Sequence, residues 1–244
     1  EGGRASRGKS VHQILGLQRK TQVAAMLAAT EYPEDRFLVF ATADGTVKRT
    51  TLDQYGRPRE GGIEALSLKP GDRLVDVQVT DGTGDVVLAT SAGRAIRFPE
   101  AEIPPTGRVS QGVRGVKLRG DEVLVGMVAM RREGDLCMVT ERGFAKRVAM
   151  DDLPVQGRGG IGSVALPTMR GTGKVVSARE LLPDEDLMAV TAVGRTVRVH
   201  GDQVVPGDLK TPPEPAVELS SHDRIVAVTR TSRQPQVYGG RGLA

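Results

Sequence analysis

Apolar residues fall in runs of four to seven, rich in Val and Leu and bounded by Gly, Asp or Pro. Runs of that length and composition predict strands rather than helices. One stretch shows the layout: the polar turn LKPGD (68–72), then the apolar runs RLVDVQV (73–79), DVVLAT (85–90) and GRAIRF (93–98). The segment QVAAMLAATEY (22–32) has helix-compatible residues, but it occupies the place that RLVDVQVTD holds in the next unit, so it too is expected to be a strand. From Ser232 onward the chain is weakly apolar and reads as an ill-ordered tail or a late edge segment.

The layout repeats. Thr-x-x-Gly followed by a short basic strand occurs as TADGTVKRT, TSAGRAIRF, TERGFAKRV and TAVGRTVRV, and the glycines Gly45, Gly93, Gly143 and Gly194 are 48, 50 and 51 residues apart. A near-constant period marks a repeat architecture in which stacked units share one core. Corners such as Asp44-Gly45 and Ala92-Gly93 predict tight two-residue hairpins with positive φ at glycine. A second marker, a Leu closing a Gly- and basic-rich stretch, recurs at Leu17, Leu68, Leu118, Leu166 and Leu219. Four strands per unit of about 50 residues predict an all-β, propeller-like domain. Residues 1–231 are assigned to it as four full repeats with a half-repeat at each end, and 232–244 to the tail.

Composition supports sheet: 31 Gly, 14 Pro and no Trp in 244 residues, with 39% apolar content. The single cysteine, Cys137, rules out an internal disulfide and reads as a small buried residue on a strand. No apolar run is long enough for a membrane helix, which points to a cytoplasmic protein with no membrane partner. Net charge is +4, but its placement is uneven. The hairpin strands hold Lys48, Arg49, Arg94, Arg97, Lys146, Arg147, Arg195 and Arg198 and no acid, leaving 26 Lys and Arg against 30 Asp and Glu elsewhere. Cations at equivalent places in a circular array predict a basic stripe.

The Gly- and Arg-rich stretches add Arg4, Arg7 and Lys9; Arg57 and Arg59; Arg108, Arg114 and Lys117; and Arg158. Glycine lets backbone approach a ligand and guanidinium favours phosphate, although glycine alone also suits a bulge between blades. FLVFATADGTVKRTTL, GGIEALSLKPGDRLVDV and above all GRAIRFPEAEIPPTGRVSQGVRGVKL resemble the C-terminal domain of DNA gyrase A, the β-pinwheel shared with its counterpart in topoisomerase IV. The resemblance implies a disc of blades whose basic outer rim, built from the cations named above, bends double-stranded DNA and presents a crossing to a catalytic core. It further implies partnership with the rest of gyrase A and with gyrase B, ATP and Mg²⁺ used in other domains, and no cofactor in this one. Gyrases carry a box close to Gln-Arg-Arg-Gly-Gly-Lys-Gly; here RPREGG and QGRGGIG are degenerate relatives, and the position of Arg4–Lys9 places such a box upstream of residue 1.

Catalysis is not indicated. His12, His200 and His222 are scattered, no Cys/His cluster has metal spacing, and Asp81–Asp85 resembles a calcium loop without its closing Glu. Tyr32, Tyr55 and Tyr238 lie outside the motif around a gyrase cleavage tyrosine. The competing readings are a topoisomerase IV-type domain and a protein-binding propeller, the latter disfavoured by the basic strand in every repeat.

Overall fold

The computed structural model describes residues 8, 10–18, 20–57, 62–130 and 134–232. A short helix, α1 (Val11–Leu15), is followed by fifteen strands among these residues. In chain order they are β1 (Phe37–Thr42), β2 (Thr46–Thr51), β3 (Leu74–Thr80), β4 (Asp85–Thr90), β5 (Arg94–Pro99), β6 (Val113–Arg114), β7 (Leu124–Ala129) and β8 (Asp135–Thr140). The rest are β9 (Phe144–Ala149), β10 (Ser163–Val164), β11 (Val175–Leu181), β12 (Glu185–Thr191), β13 (Thr196–His200), β14 (Glu214–Pro215) and β15 (Ile225–Ser232).

They form four antiparallel sheets, ordered β3-β1-β2-β6, β7-β4-β5-β10, β11-β8-β9-β14 and β15-β12-β13. Each is a blade with a hairpin at its centre. The inner strands β3, β7, β11 and β15 pack against one another in succession, so the four sheets make a propeller-like pinwheel. The cores lie between blades. Val39, Ala41 and Val47 of the first meet Leu88, Ile96 and Phe98 of the second, and corresponding clusters fill the next two gaps. Cys137 is buried in the last of these on β8.

The outer strands come from the following repeat. After β5 the chain returns to the first blade, pairs Val113 and Arg114 with Val47 and Thr46, and then re-enters the second blade as β7. β10 and β14 do the same for the second and third blades. Two Arg/Gly stretches, and the Pro-rich stretch that supplies β14, therefore contribute two-residue ladders that lock adjacent blades by exchange. The fourth blade has three strands among the described residues, not the four expected.

Three further expectations change. The hairpin loops have three residues, not two, as in Ala43-Asp44-Gly45: glycine alone takes positive φ, +82° at Gly45, and its N–H closes the turn on Thr42 O at 2.9 Å. That is a type I turn followed by a left-handed residue. Residues 22–29 form no strand and are exposed, because without β-branched alternation they have no sheet edge to join. Val11–Leu15, in the described part of the opening half-repeat, form α1 instead of a strand, since Ser10 and Gln13 form a reciprocal capping box.

Candidate nucleic-acid interface

Strand alternation decides where the hairpin cations go. Lys48 and Arg49 are adjacent, so they leave opposite faces of β2. Lys48 is buried, and its ammonium donates to Ala65 O at 2.7 Å and to Arg108 O, with the Phe40 ring centroid 5.3 Å away. Burial, and then the nearby Arg108 charge, push it down to about 8. Lys146, at the same place in the third blade, is buried and donates to Ala165 O at 2.8 Å, and burial lowers its pKa as well. Each lysine ties its hairpin to the exchange segment that follows it.

The arginines one position on tie each blade to the next. Arg49 faces Glu100, 3.7 Å away in the turn after β5. Arg97 binds Asp85 at 2.7 Å and reaches Met150 O (2.8 Å) and Asp151 (3.1 Å) in the turn after β9. Arg147 donates to Val204 O at 2.8 Å in the turn after β13. Arg198 is held by the buried Asp186 at 2.8 and 2.5 Å. Arg94 lies 3.8 Å from Glu122. Of the eight hairpin cations, Arg195 and Arg198 are exposed, Arg198 while paired with Asp186, and the eight do not form the expected stripe of free cations: lysines are spent on carbonyls, and most arginines on carboxylates or carbonyls.

The rim is instead paved by the exchange loops. Lys117 N donates to Gly160 O and Gly159 N to Gly115 O, both at 2.8 Å, so the loop after the third hairpin lies against the one after the second. Arg158 is drawn into that seam, donating to Glu102 O at 2.9 Å and Arg114 O at 2.5 Å. Arg114 and Lys117 are exposed on or beside β6, Arg57 is exposed beyond the first hairpin, and Arg108 is half-buried. Arg4, Arg7, Lys9 and Arg59 lie outside the described residues. Residues 103–120 hold Arg108, Arg114, Lys117 and Arg119 and no acid; 153–175 hold Arg158, Arg170 and Lys174 and no acid. Arg119 and Arg170, both exposed, were not anticipated, and freedom from acids over these two stretches was the signal that marks them.

Charge also differs between the two ends of the strands. Short 3₁₀ turns at one end expose Asp53, Glu102, Asp151, Asp152 and Asp202. The hairpin-turn end carries exposed Arg73, Arg119, Arg142, Arg170, Arg195 and Arg224, beside exposed Asp44 and Asp121, which pair with Lys69 and Lys174. The outer strands pair with the turn-proximal residues 46–47, 94–95 and 144–145, away from the acids of the 3₁₀ turns.

The model for the DNA gyrase C-terminal domain, beta-propeller, matches residues 36–81, 84–129 and 134–180, more than half of the chain. The chain belongs to this family. DNA gyrase A of Salmonella typhimurium is 33% identical over 232 residues, covering 95% of this chain and 26% of its own length. That of Deinococcus deserti is 32% identical over 243 residues, covering 97% and 30%. The chain thus spans under a third of these relatives. Among solved structures, a C-terminal domain of DNA topoisomerase IV superposes with a TM-score of 0.85 and a DNA gyrase A C-terminal domain with 0.81. Each is 20% identical over 92% of this chain and covers 71% and 75% of its own, which supports the fold. This gyrase A C-terminal β-pinwheel contains, among its described residues, no helix long and apolar enough to cross a membrane and no group of three His, Cys, Asp or Glu able to hold a metal. In the calcium-like stretch, Asp85 is committed to Arg97.

Proposed function

We propose that this domain binds duplex DNA along its rim and bends it, as the accessory, non-catalytic part of a gyrase A protein working with gyrase B in the cytoplasm. The observation that carries the reading is the seam at Lys117–Gly160 and Gly159–Gly115, which sets two acid-free basic stretches side by side on the blade edges. Arg114, Lys117, Arg119 and Arg170 are the exposed cations there, and Arg57 and Arg195 extend the path along the rim. Smooth bending of 20–30 bp costs on the order of 1–6 kcal/mol, which suits several distributed phosphate contacts better than one pocket. Among the described residues the seam presents strands and loops rather than a helix to a groove, so binding tolerates sequence and favours bendable DNA.

Neutralising phosphates releases counterions, so the slope of log affinity against log salt is about −0.9 per contact. Four contacts give about −3.6, whereas eight hairpin cations give about −7. Replacing Arg114, Lys117 and Arg170 by Gln should remove nearly three units of slope, measured by fluorescence anisotropy of a 40-bp duplex between 50 and 200 mM salt. An unchanged slope would return the domain to the protein-scaffold reading. A topoisomerase IV-like role without tight wrapping has one observation in its favour, the internal commitment of most hairpin cations. Linking-number change in relaxed circles bound by this domain separates the two.

A further inference from the structure

The outer edges of the first three blades are built alike. β6, β10 and β14 pair with their hairpins at matching residues, Arg114 opposite Thr46, Val164 opposite Arg94 and Pro215 opposite Phe144. Each then caps its hairpin turn: Gly45 O accepts from Gly115 N (2.8 Å) and Val116 N (3.2 Å), Gly93 O from Ala165 N and Leu166 N (both 2.9 Å), and Gly143 O from Ala216 N (2.8 Å) and Val217 N (3.0 Å). The lead-in is fixed in the same way, with Thr106 N on Arg49 O, Gln156 N on Arg97 O and Gly207 N on Arg147 O. Backbone register is therefore shared along 106–116, 156–166 and 207–217, and the three edges can be compared position by position.

Charge does not follow the backbone. The first two edges lie in 103–120 and 153–175, which hold cations and no acid. On the third, Asp208 stands where Gly107 and Gly157 do, Leu209 where Arg108 and Arg158 do, Glu214 where Val113 and Ser163 do, and Glu218 where Lys117 and Pro167 do. Asp208, Glu214 and Glu218 are exposed, as is Lys210, the one Lys or Arg in 204–222. Leu209 is turned inward, packed on the core between the second and third blades. Asp208 accepts from Thr211 Oγ1 and Thr211 N (both 2.8 Å) and from Lys210 N (2.9 Å), and these donors hold its carboxyl below the usual range, so its negative charge is present at neutral pH.

We propose that duplex DNA is seated on the outer edges of the first and second blades and opposed at the third, so that its firm contact with the rim ends there. The inference rests on the rim reading above and gives the path a limit. At 0.1 M salt exposed charges act over about 10 Å, so carboxylates on the edge itself reach a duplex that follows it, and like charges brought face to face suppress the contact. The acids of the 3₁₀ turns lie a strand length away, roughly 20 Å for six residues, and are screened. Arg195 belongs to the fourth blade, so the duplex gains that cation only by crossing Asp208, Glu214 and Glu218.

The test neutralises the third edge in the full 244-residue chain with Asp208→Asn, Glu214→Gln and Glu218→Gln; asparagine keeps the oxygen that holds the 208–211 turn. Lys210 and Arg195 then join the track, and the salt slope on the 40-bp duplex should steepen by about 1.8, from about −3.6 to about −5.4. Glu218→Lys alone, which gives this edge the lysine of the first, should steepen it by about 0.9. Arg195→Gln should remove about 0.9 from the slope of the neutralised chain and under a third of that from the parent. The control, Asp53→Asn with Asp152→Asn and Asp184→Asn, makes the same change in net charge at the other end of the strands and should leave the slope where it was. A slope unmoved by neutralising the third edge, an equal change in the control, or a full unit lost from the parent on Arg195→Gln would each overturn the proposal. The parent slope itself tests the rim, so a parent near −3.6 with an unresponsive third edge sinks this inference and leaves the rim standing.

Discussion

A buried lysine on a strand is a commitment, and Lys48 shows what it holds. Its ammonium joins the second hairpin strand to Ala65 in one exchange loop and to Arg108 in the next. Lys48→Met keeps the stem's volume but leaves two carbonyls without a donor, an expected loss of about 2 kcal/mol in urea unfolding. The pH dependence has a definite sign. The unfolded side chain titrates near 10.5 and the folded one at about 8, so between these values the unfolded chain holds a proton that the folded one has released. Raising pH through that window therefore favours the fold. The stability of the parent chain minus that of Lys48→Met should increase from pH 8 to pH 10. A flat or falling difference would mean that the ammonium is not desolvated as its surroundings imply.

At the scale of elements, the basic strand in each repeat is an assembly signal before it is a binding signal. Arg49, Arg97 and Arg147 each reach the turn of the following blade, so one arginine per repeat sets blade-to-blade registry. Arg97→Gln leaves Asp85, which is largely buried, without its partner and frees the Met150 turn. It should cost about 1–3 kcal/mol in the same unfolding assay while leaving the salt slope of DNA binding untouched, because the Arg97 guanidinium is committed to Asp85, Met150 O and Asp151. Hairpins were legible in the sequence because Thr-x-x-Gly and the Val- and Leu-rich runs are local. The exchange was not: β2 finds β6 more than sixty residues away through a two-residue ladder, which no periodicity announces. Adjacent cations such as Lys48 and Arg49 did hold a clue, since neighbouring residues on a strand cannot share one face. The capping pair Ser10 and Gln13 likewise foretold α1. Freedom from acids in 103–120 and 153–175 was equally readable, but it gains meaning once the fold places those loops together.

For the whole molecule, the proposed bending of DNA around the rim requires a hub that holds the blades at fixed angles. Gln78 on β3 donates to Met127 O (2.8 Å) and accepts from Ala129 N (3.0 Å) on β7, joining the first two blades. Gly126 lets the third blade's backbone close in, since a β-carbon there would collide with Ala178. Across this contact Arg179 on β11 pairs with Asp76 on β3 at 3.1 Å, pinning the first blade to the third. Burial raises the Asp76 pKa, and Arg179 is the largest influence holding it down. Arg179→Met leaves the Asp76 carboxylate with only Gln78 and the Val77 N–H as donors among the described residues, which should cost about 1–3 kcal/mol at pH 7, since Arg179 itself is partly exposed. The pKa of Asp76 then rises further, so the carboxyl takes up a proton as pH falls and much of the penalty disappears: the loss measured at pH 4.5 should be clearly smaller than at pH 7. Because every rim cation survives in this variant, its salt slope on DNA should match that of the parent even as its power to writhe a relaxed circle declines. Equal writhing at equal slope would show that curvature is set by the exchanged outer strands, with the hub pair contributing stability alone.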